Sequence, residues 1–173
     1  MTLRDGITSV EKWAFRGNTS LKSINIPGTV NTIGYAAFYQ CTNLSSLTLN
    51  EGTTTIDEWA FQSCEYLTTV DIPSSVTKIN YSAFADNDRL KTVYIRSTTS
   101  LNLGDYCFGG LPALSSVYIY LTNANNFTVN SGAFNKSRTG YLYVKNESMY
   151  NKLINANLVG FLGTSSSGHI AYF

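Results

Sequence analysis

The chain has 173 residues, 43% of them apolar and only 13% charged, with a formal net charge of +1. That is enough apolar material for one domain with a buried interior, and too little charge of one sign to gather nucleic acid or anionic lipid. No stretch approaches the ~20 apolar residues of a membrane span, MTLRDGITSVEKW lacks a hydrophobic signal core, and Cys41, Cys64 and Cys107 show neither CxxC nor Cys/His spacing, so membrane insertion by this segment, a zinc site and a disulfide framework are not indicated.

Leu3, Ile7 and Val10 open the chain and lead to an Ala-Phe pair that then recurs. Phenylalanines stand at Phe15, Phe38, Phe61, Phe84, Phe108 and Phe134, spaced 23, 23, 23, 24 and 26, and all but Phe108 follow an alanine. Five residues before each comes Val10, Ile33, Ile56, Ile79, Leu103 or Val129, and six after the first five comes Leu21, Leu44, Leu67, Leu90 or Leu114. The alternating pairs Ile24/Ile26, Leu47/Leu49, Val70/Ile72, Val93/Ile95, Val117/Ile119 and, one residue early, Leu142/Val144 predict short strands with one face buried. A fixed period of this length marks a stacked array. One unit buries too little apolar surface to offset the ordering of its backbone, whereas units stacked Phe on Phe at the ~4.8 Å strand spacing share a continuous core.

Pro27, Pro73, Gly28 and Gly34 punctuate the turns, with Asn50 and Arg96 in proline's place elsewhere. Both insertions, near Ser97 to Ser100 and within LTNANNF at 121–127, fall between a strand and the next Phe, where a loop absorbs them. The column three residues after each Phe reads Asn18, Cys41, Cys64, Asn87 and Leu111. Small polar side chains at a tight inward bend satisfy backbone groups that a coil leaves unpaired, so Cys41 and Cys64 read as thiols of a structural ladder. A disulfide between adjacent rungs, a redox pair and metal ligation are the alternatives. Beyond Val144 the period is lost. Met149, Leu153 and Ala156 or Asn157 at helical spacing predict a short helix over about 147–157, and HIAYF then alternates like a strand.

The units LKSINIPGTVNTIGYAAFYQC at 21–41 and LTTVDIPSSVTKINYSAFADN at 67–87 resemble the leucine-rich repeats of the BspA-like type, L-x-x-I-x-I-P-x-x-V-x-x-I-G-x-x-A-F-x-x-C, over about Leu3 to Val144. The resemblance implies a repeat solenoid: a right-handed superhelix with a parallel strand ladder on its concave face, mostly strand and irregular structure. It divides the chain into an array of about six repeats at 1–145, the first incomplete, and a C-terminal cap of a short helix and strand at 146–173, which covers the last rung. It also implies a secreted or cell-surface bacterial protein engaged in adhesion and protein–protein recognition, with no catalytic residues and no cofactor. The other end starts inside a repeat with no cap, and an open edge invites pairing, so the chain is expected to be part of a longer protein.

Catalysis would need a constellation of residues. The single histidine, His169, follows TSSSG without an orienting acid or a nucleophile elbow. Asp57 and Glu58 lie at a turn, and Asp86 and Asp88 in FADNDRL lack the glycine and glutamate of a calcium loop. Asn18, Asn43, Asn126, Asn135 and Asn146 begin N-x-S/T tripeptides, as expected from composition.

More is legible in the residues that point away from the core on the strands. Ser23 and Asn25, Ser46 and Thr48, and Thr69 and Asp71 are mostly small; they give way to Thr92, Tyr94 and Arg96, then Ser116, Tyr118 and Tyr120, then Tyr141, Tyr143 and Lys145. This strip is either a cross-strand aromatic ladder that stabilises the sheet or a contact surface, and the two are compatible. Candidate ligand contacts are Tyr94, Arg96, Tyr118, Tyr120, Tyr141 and Tyr143. A second outward column, Trp13, Ala36, Trp59, Ser82, Tyr106 and Gly132, alternates large with small and suggests packing on the convex side. The expected function is non-enzymatic recognition of a protein or glycan, including a host-derived one; the alternative is a structural spacer or display scaffold in a larger surface protein.

Overall fold

The computed structural model describes residues 1–137 and 140–156 and the backbone of 170–172. Two kinds of strand alternate along the chain: β1 (Ser9–Val10), β2 (Ser23–Ile26), β3 (Thr32–Ile33), β4 (Ser46–Leu49), β5 (Thr55–Ile56), β6 (Thr69–Ile72), β7 (Lys78–Ile79), β8 (Thr92–Ile95), β9 (Leu101–Leu103), β10 (Ser116–Ile119), β11 (Phe127–Val129), β12 (Tyr141–Val144) and β13 (Ile170–Tyr172). Every pairing is parallel and joins equivalent strands of neighbouring coils, in the register set by the sequence period, for example Val93 with Val117 and Val117 with Leu142. The result is a β-solenoid.

The longer strands are those expected from the alternating pairs, and Ile24, Ile26, Val70, Ile72, Val93, Ile95, Val117 and Ile119 are all buried. The parallel ladder is divided, however: β2 pairs with β4, while β6, β8, β10, β12 and β13 form a separate sheet. Asn50, Arg96 and Tyr120, each just past a strand, donate their N–H to Ile26, Ile72 and Ile95 one coil back, at 3.2, 3.0 and 3.0 Å. Pro73 occupies that position after β6 and has no N–H to give Leu49. The short strands β1, β3, β5, β7, β9 and β11 make a second, unbroken ladder. It holds the column Val10, Ile33, Ile56, Ile79, Leu103 and Val129, which the period marks as buried without revealing that it is strand.

A third set of inter-coil bonds surrounds each Phe. The N–H groups of Trp13, Phe15 and Gly17 donate to the carbonyls of Tyr35, Ala37 and Tyr39 at 3.0, 2.7 and 2.7 Å, while Ala14, Arg16 and Asn18 between them close tight turns on Glu11, Trp13 and Phe15. To present alternate peptides in this way the chain turns left-handed twice in each of the first five coils and once, at Lys136, in the sixth. Trp13, Ala36, Trp59, Ser82 and Tyr106 have φ of 51–61°, and Gln40, Ser63, Asp86 and Lys136, four residues further on in their coils, have φ of 56–61°. Gly17 and Gly110 fill the second column in two coils, with φ of 70° and 64°. The column read as convex packing is therefore also a backbone column. Its large members meet aromatics of a neighbouring coil, Trp13 at 6.1 Å and Trp59 at 5.3 Å from Tyr35 and Tyr106 at 5.9 Å from Tyr81, and its small members Ala36 and Ser82 are buried.

Inside, Phe15, Phe38, Phe61, Phe84, Phe108 and Phe134 stack ring on ring at 5.0, 5.0, 5.1, 5.5 and 5.6 Å, within 15° of parallel. Each contact adds ~0.5–1.5 kcal/mol beyond the area it buries. Three residues after Phe38, Phe61, Phe84 and Phe134, polar side chains form a ladder of bonds to the coil before. The thiols of Cys41 and Cys64 donate to the carbonyls of Phe15 and Phe38, at 3.1 and 3.2 Å, and both cysteines are free. Asn87 continues the series to Phe61 at 3.0 Å, and Ser137 ends it on Phe108 at 2.6 Å.

The insertion at 121–127 is more ordered than a plain loop. Asn123 caps a 3₁₀ turn at Ala124–Asn126, and Phe127 then enters β11 fully buried. At the far end, Asn146 caps the helix α1 (Glu147–Asn155) by accepting from Met149 N–H at 3.0 Å, and Met149 and Leu153 face the core. The helix ends two residues short of the expected 157. β13 then pairs with β12, Tyr143 opposite Ala171.

Candidate functional site

The candidate contacts all lie on the outer side of the long-strand sheet, where register alone brings them together. Tyr94, Tyr118 and Tyr143 are mutual partners on β8, β10 and β12, flanked by Thr92, Ser116 and Tyr141 on one side and by Arg96, Tyr120 and Lys145 on the other. The central row stacks: Tyr94 and Tyr118 have ring centres 4.9 Å apart at 16°, and Tyr118 and Tyr143 are 4.5 Å apart at 7°. Tyr141, about half exposed, extends the cluster at 6.0 Å from Tyr143. In the next row the Arg96 guanidinium lies 5.2 Å from the Tyr120 ring centre and the Lys145 ammonium 5.0 Å from it, both within cation–π range. Partial desolvation, with Tyr118 and Tyr141 alongside, pushes the Tyr143 phenol above its ordinary value, so it remains an O–H donor well past neutrality.

The sequence reading missed the contribution of Asp71. Its carboxylate accepts from Arg96 Nε at 2.6 Å and Nη2 at 2.8 Å, a fork-shaped pair across one rung that raises the arginine pKa further still. Register brings the two close, since Asp71 is the β6 partner of Tyr94 and Arg96 stands two residues beyond, but it is side-chain reach that joins them. It edges a cleft of about 380 Å³, lined by Leu47, Leu49, Glu51 and Pro73 among others, where the long ladder is divided.

Elsewhere, residues that could suggest chemistry have structural work. Asp57 accepts from Glu58 N–H and from the Asn80 amide, both at 2.8 Å, and Asp86 accepts from Gln62 at 2.7 Å. The N-x-S/T asparagines Asn43, Asn126, Asn135 and Asn146 donate their amide hydrogens to Thr19, Thr99, Tyr106 and Thr122. Among the described residues no three His, Cys, Asp or Glu side chains cluster as a metal site would require, and no helix is long and apolar enough to cross a membrane. His169 lies outside the described residues.

Residues 1–115 match, in six copies, the family profile described as BspA type leucine rich repeat region. Among solved structures, the pneumococcal vaccine antigen PcpA aligns over 100% of this chain and 41% of its own, with a TM-score of 0.86 at 22% identity. The Treponema pallidum leucine-rich repeat protein TpLRR aligns over 90% of this chain and 82% of its own, at 0.63 and 21%. A leucine-rich cell surface protein of Faecalibacterium prausnitzii aligns over 97% of this chain and 64% of its own, at 0.52 and 17%. At these identities the likeness is one of fold, and this chain spans less than half of the pneumococcal structure. No curated protein sequence matches the chain.

Proposed function

Since this chain belongs to the BspA-type leucine-rich repeat family, we propose that it is a non-enzymatic recognition domain of an exported bacterial surface protein, offering the Tyr94, Tyr118 and Tyr143 face to a protein or glycan. The observation that carries this reading is the concentration of aromatic side chains on the coils from β8 onward, on positions the core does not need. Ser23, Ser46 and Thr48 occupy equivalent outward places with small side chains, so the fold itself imposes no requirement for tyrosine there. Tyrosine and arginine are the residues enriched where proteins bind. An extracellular setting agrees with the family and with structural relatives described as a vaccine antigen and a cell surface protein.

The reading as a spacer draws on the unbroken short-strand ladder, which would hold a neighbouring domain at a fixed distance without any ligand. Replacing Tyr94, Tyr118 and Tyr143 together by serine separates the two. A partner captured by the wild-type domain, from host matrix proteins or a glycan array, should be lost by a folded triple variant; retention would remove the tyrosine face from consideration.

A further inference from the structure

The long ladder is interrupted between β4 and β6, and the bonds around the interruption give it a mechanical character. Where β4 pairs with β2 and β8 with β6, backbone bonds secure both ends of the strand: Ser45 and Ser46 donate to Lys22 and Asn50 to Ile26, and likewise Lys91 and Thr92 to Thr68 and Arg96 to Ile72. Between β4 and β6 neither end is secured. Thr68 and Thr69 make no bond to Ser45, Pro73 has no N–H to give, and among the described residues no pairing joins the two strands. The cleft of about 380 Å³ lies in this gap. Leu47 is partly exposed there, whereas Ile24, Val70, Val93, Val117 and Leu142 of the same column are buried.

The other two sides of the same coils are closed. β5 pairs with β7, the Phe61 and Phe84 rings are 5.1 Å apart, and the N–H groups of Trp59, Phe61 and Ser63 donate to Tyr81, Ala83 and Ala85 at 3.1, 2.8 and 3.0 Å. Sliding or twisting one coil on the other would break all of these bonds. Rotation about the bonded sides breaks none, and that is the motion of a hinge. Side chains bridge the corner where the open side ends. Glu51 accepts from the N–H of Ser74 and of Ser75 in the next coil, both at 2.9 Å, and from the Ser74 hydroxyl at 3.0 Å. The Ser75 hydroxyl accepts from Gly52 N–H at 2.9 Å and donates to the Thr53 carbonyl at 2.7 Å. Gly28 and Ser74 stand at the place of Glu51 in the coils on either side, so the spanning carboxylate occurs where the ladder bonds are missing.

We infer that the junction between β4 and β6 is a hinge, opening on the long-strand side about the short-strand ladder and the phenylalanine stack, with Glu51 as its latch. It divides the long-strand face in two. β2 and β4, with small outward residues, move relative to the tyrosine-bearing strands β8, β10 and β12. A partner touching both parts would bind at one angle and hold the array there. The inference stands on backbone bonding and is independent of whether the tyrosine face binds anything.

Two pairs of spin labels test it, each placed three coils apart in one outward column. Ser23→Cys with Ser116→Cys spans the junction, whereas Thr69→Cys with Tyr141→Cys does not, and the native cysteines are buried. Distances measured between labels by electron spin resonance should be more broadly distributed for the spanning pair. Glu51→Ala should broaden that distribution further. Pro73→Asn, which supplies the N–H that Asn50 gives to Ile26, should narrow it toward the control. Amide exchange over residues 68–72 should be faster than over 92–95 by about tenfold, the scale of one backbone hydrogen bond, and should rank the variants in the same order. Broadening by Glu51→Ala confined to the spanning pair supports a latched hinge even where the wild-type widths agree. Equal widths for both pairs in the wild type and in Glu51→Ala overturn the inference, since fast exchange at 68–72 would then mark a fixed notch. Equal broadening of both pairs by Glu51→Ala also overturns it, because Glu51 would then stabilise the whole array and not this junction.

Discussion

The side-chain amide of Asn87 donates to the carbonyl of Phe84 in its own coil, 2.7 Å away, while its other hydrogen serves Phe61 in the coil before. In the regular pattern the Phe84 carbonyl would receive a donor from the next rung, as Phe15 does from Cys41 and Phe38 from Cys64. The next rung holds Leu111, which has none to give. Asn87 is thus the residue type that can cover two carbonyls, and its own Oδ1 is left buried without a partner among the described residues. Asn87→Cys should keep the Phe61 bond and strand Phe84, at ~1–3 kcal/mol less the relief of that oxygen, and Asn87→Ala should cost more. Urea unfolding orders the three proteins; wild-type stability in the cysteine variant would mean that Phe84 needs no donor.

Phe61 sits between Phe38 and Phe84 at 5.0 and 5.1 Å and is fully buried. Phe61→Ala should lower stability by ~3–5 kcal/mol, whereas Glu58→Ala, three residues earlier and exposed, should change it by no more than ~0.5 kcal/mol. Comparable losses at both positions in chemical denaturation would contradict the register.

Gln40 adopts φ of 58° on the surface, in a column that Gly17 and Gly110 also fill. A non-glycine residue there carries the ~1–2 kcal/mol of a left-handed backbone, offset in part by glycine's greater freedom when unfolded. Gln40→Gly should therefore stabilise by up to ~1 kcal/mol, while Gly17→Val should destabilise. Thermal melts of the two variants should move in opposite directions.

All three cysteines are buried as free thiols, and burial raises the pKa of each, with Cys41 adding to the shift at Cys64. Both effects suppress thiolate, the reactive form. Ellman's reagent should find no reactive thiol in the folded protein at neutral pH and three after denaturation. Cys64→Ser, which keeps a donor for Phe38, should be tolerated within ~1 kcal/mol, whereas Cys64→Ala should cost more.

What could be read in advance follows from how each element writes itself into a sequence. Ile33, Phe38, Leu44 and the alternating strand pairs recur in register because each meets its own counterpart one coil away, so the buried columns were legible. The two-residue strands were not: Thr32–Ile33 is too short to show alternation, and only the coils on either side make it a ladder. Left-handed turns were hidden for a different reason. Trp13 and Trp59 occupy positions where glycine or asparagine would have signalled the conformation. At the tyrosine face, register placed the rings correctly. That Tyr118 would be covered on both faces, and Arg96 held by Asp71, depended on ring orientation and side-chain reach, which a list of outward positions does not contain.

The near-constant spacing of the phenylalanine stack bears on how such a protein changes length. From Phe15 to Phe84 the rings meet at 5.0 to 5.1 Å, whether or not the long strands of the two coils pair. Duplication or deletion of one whole 23-residue unit would preserve that phenylalanine contact and would lengthen or shorten the array by one such step. Tyr94, Tyr118 and Tyr143 would then shift as a block relative to a fixed terminus, so copy number upstream would set the height at which the face is displayed.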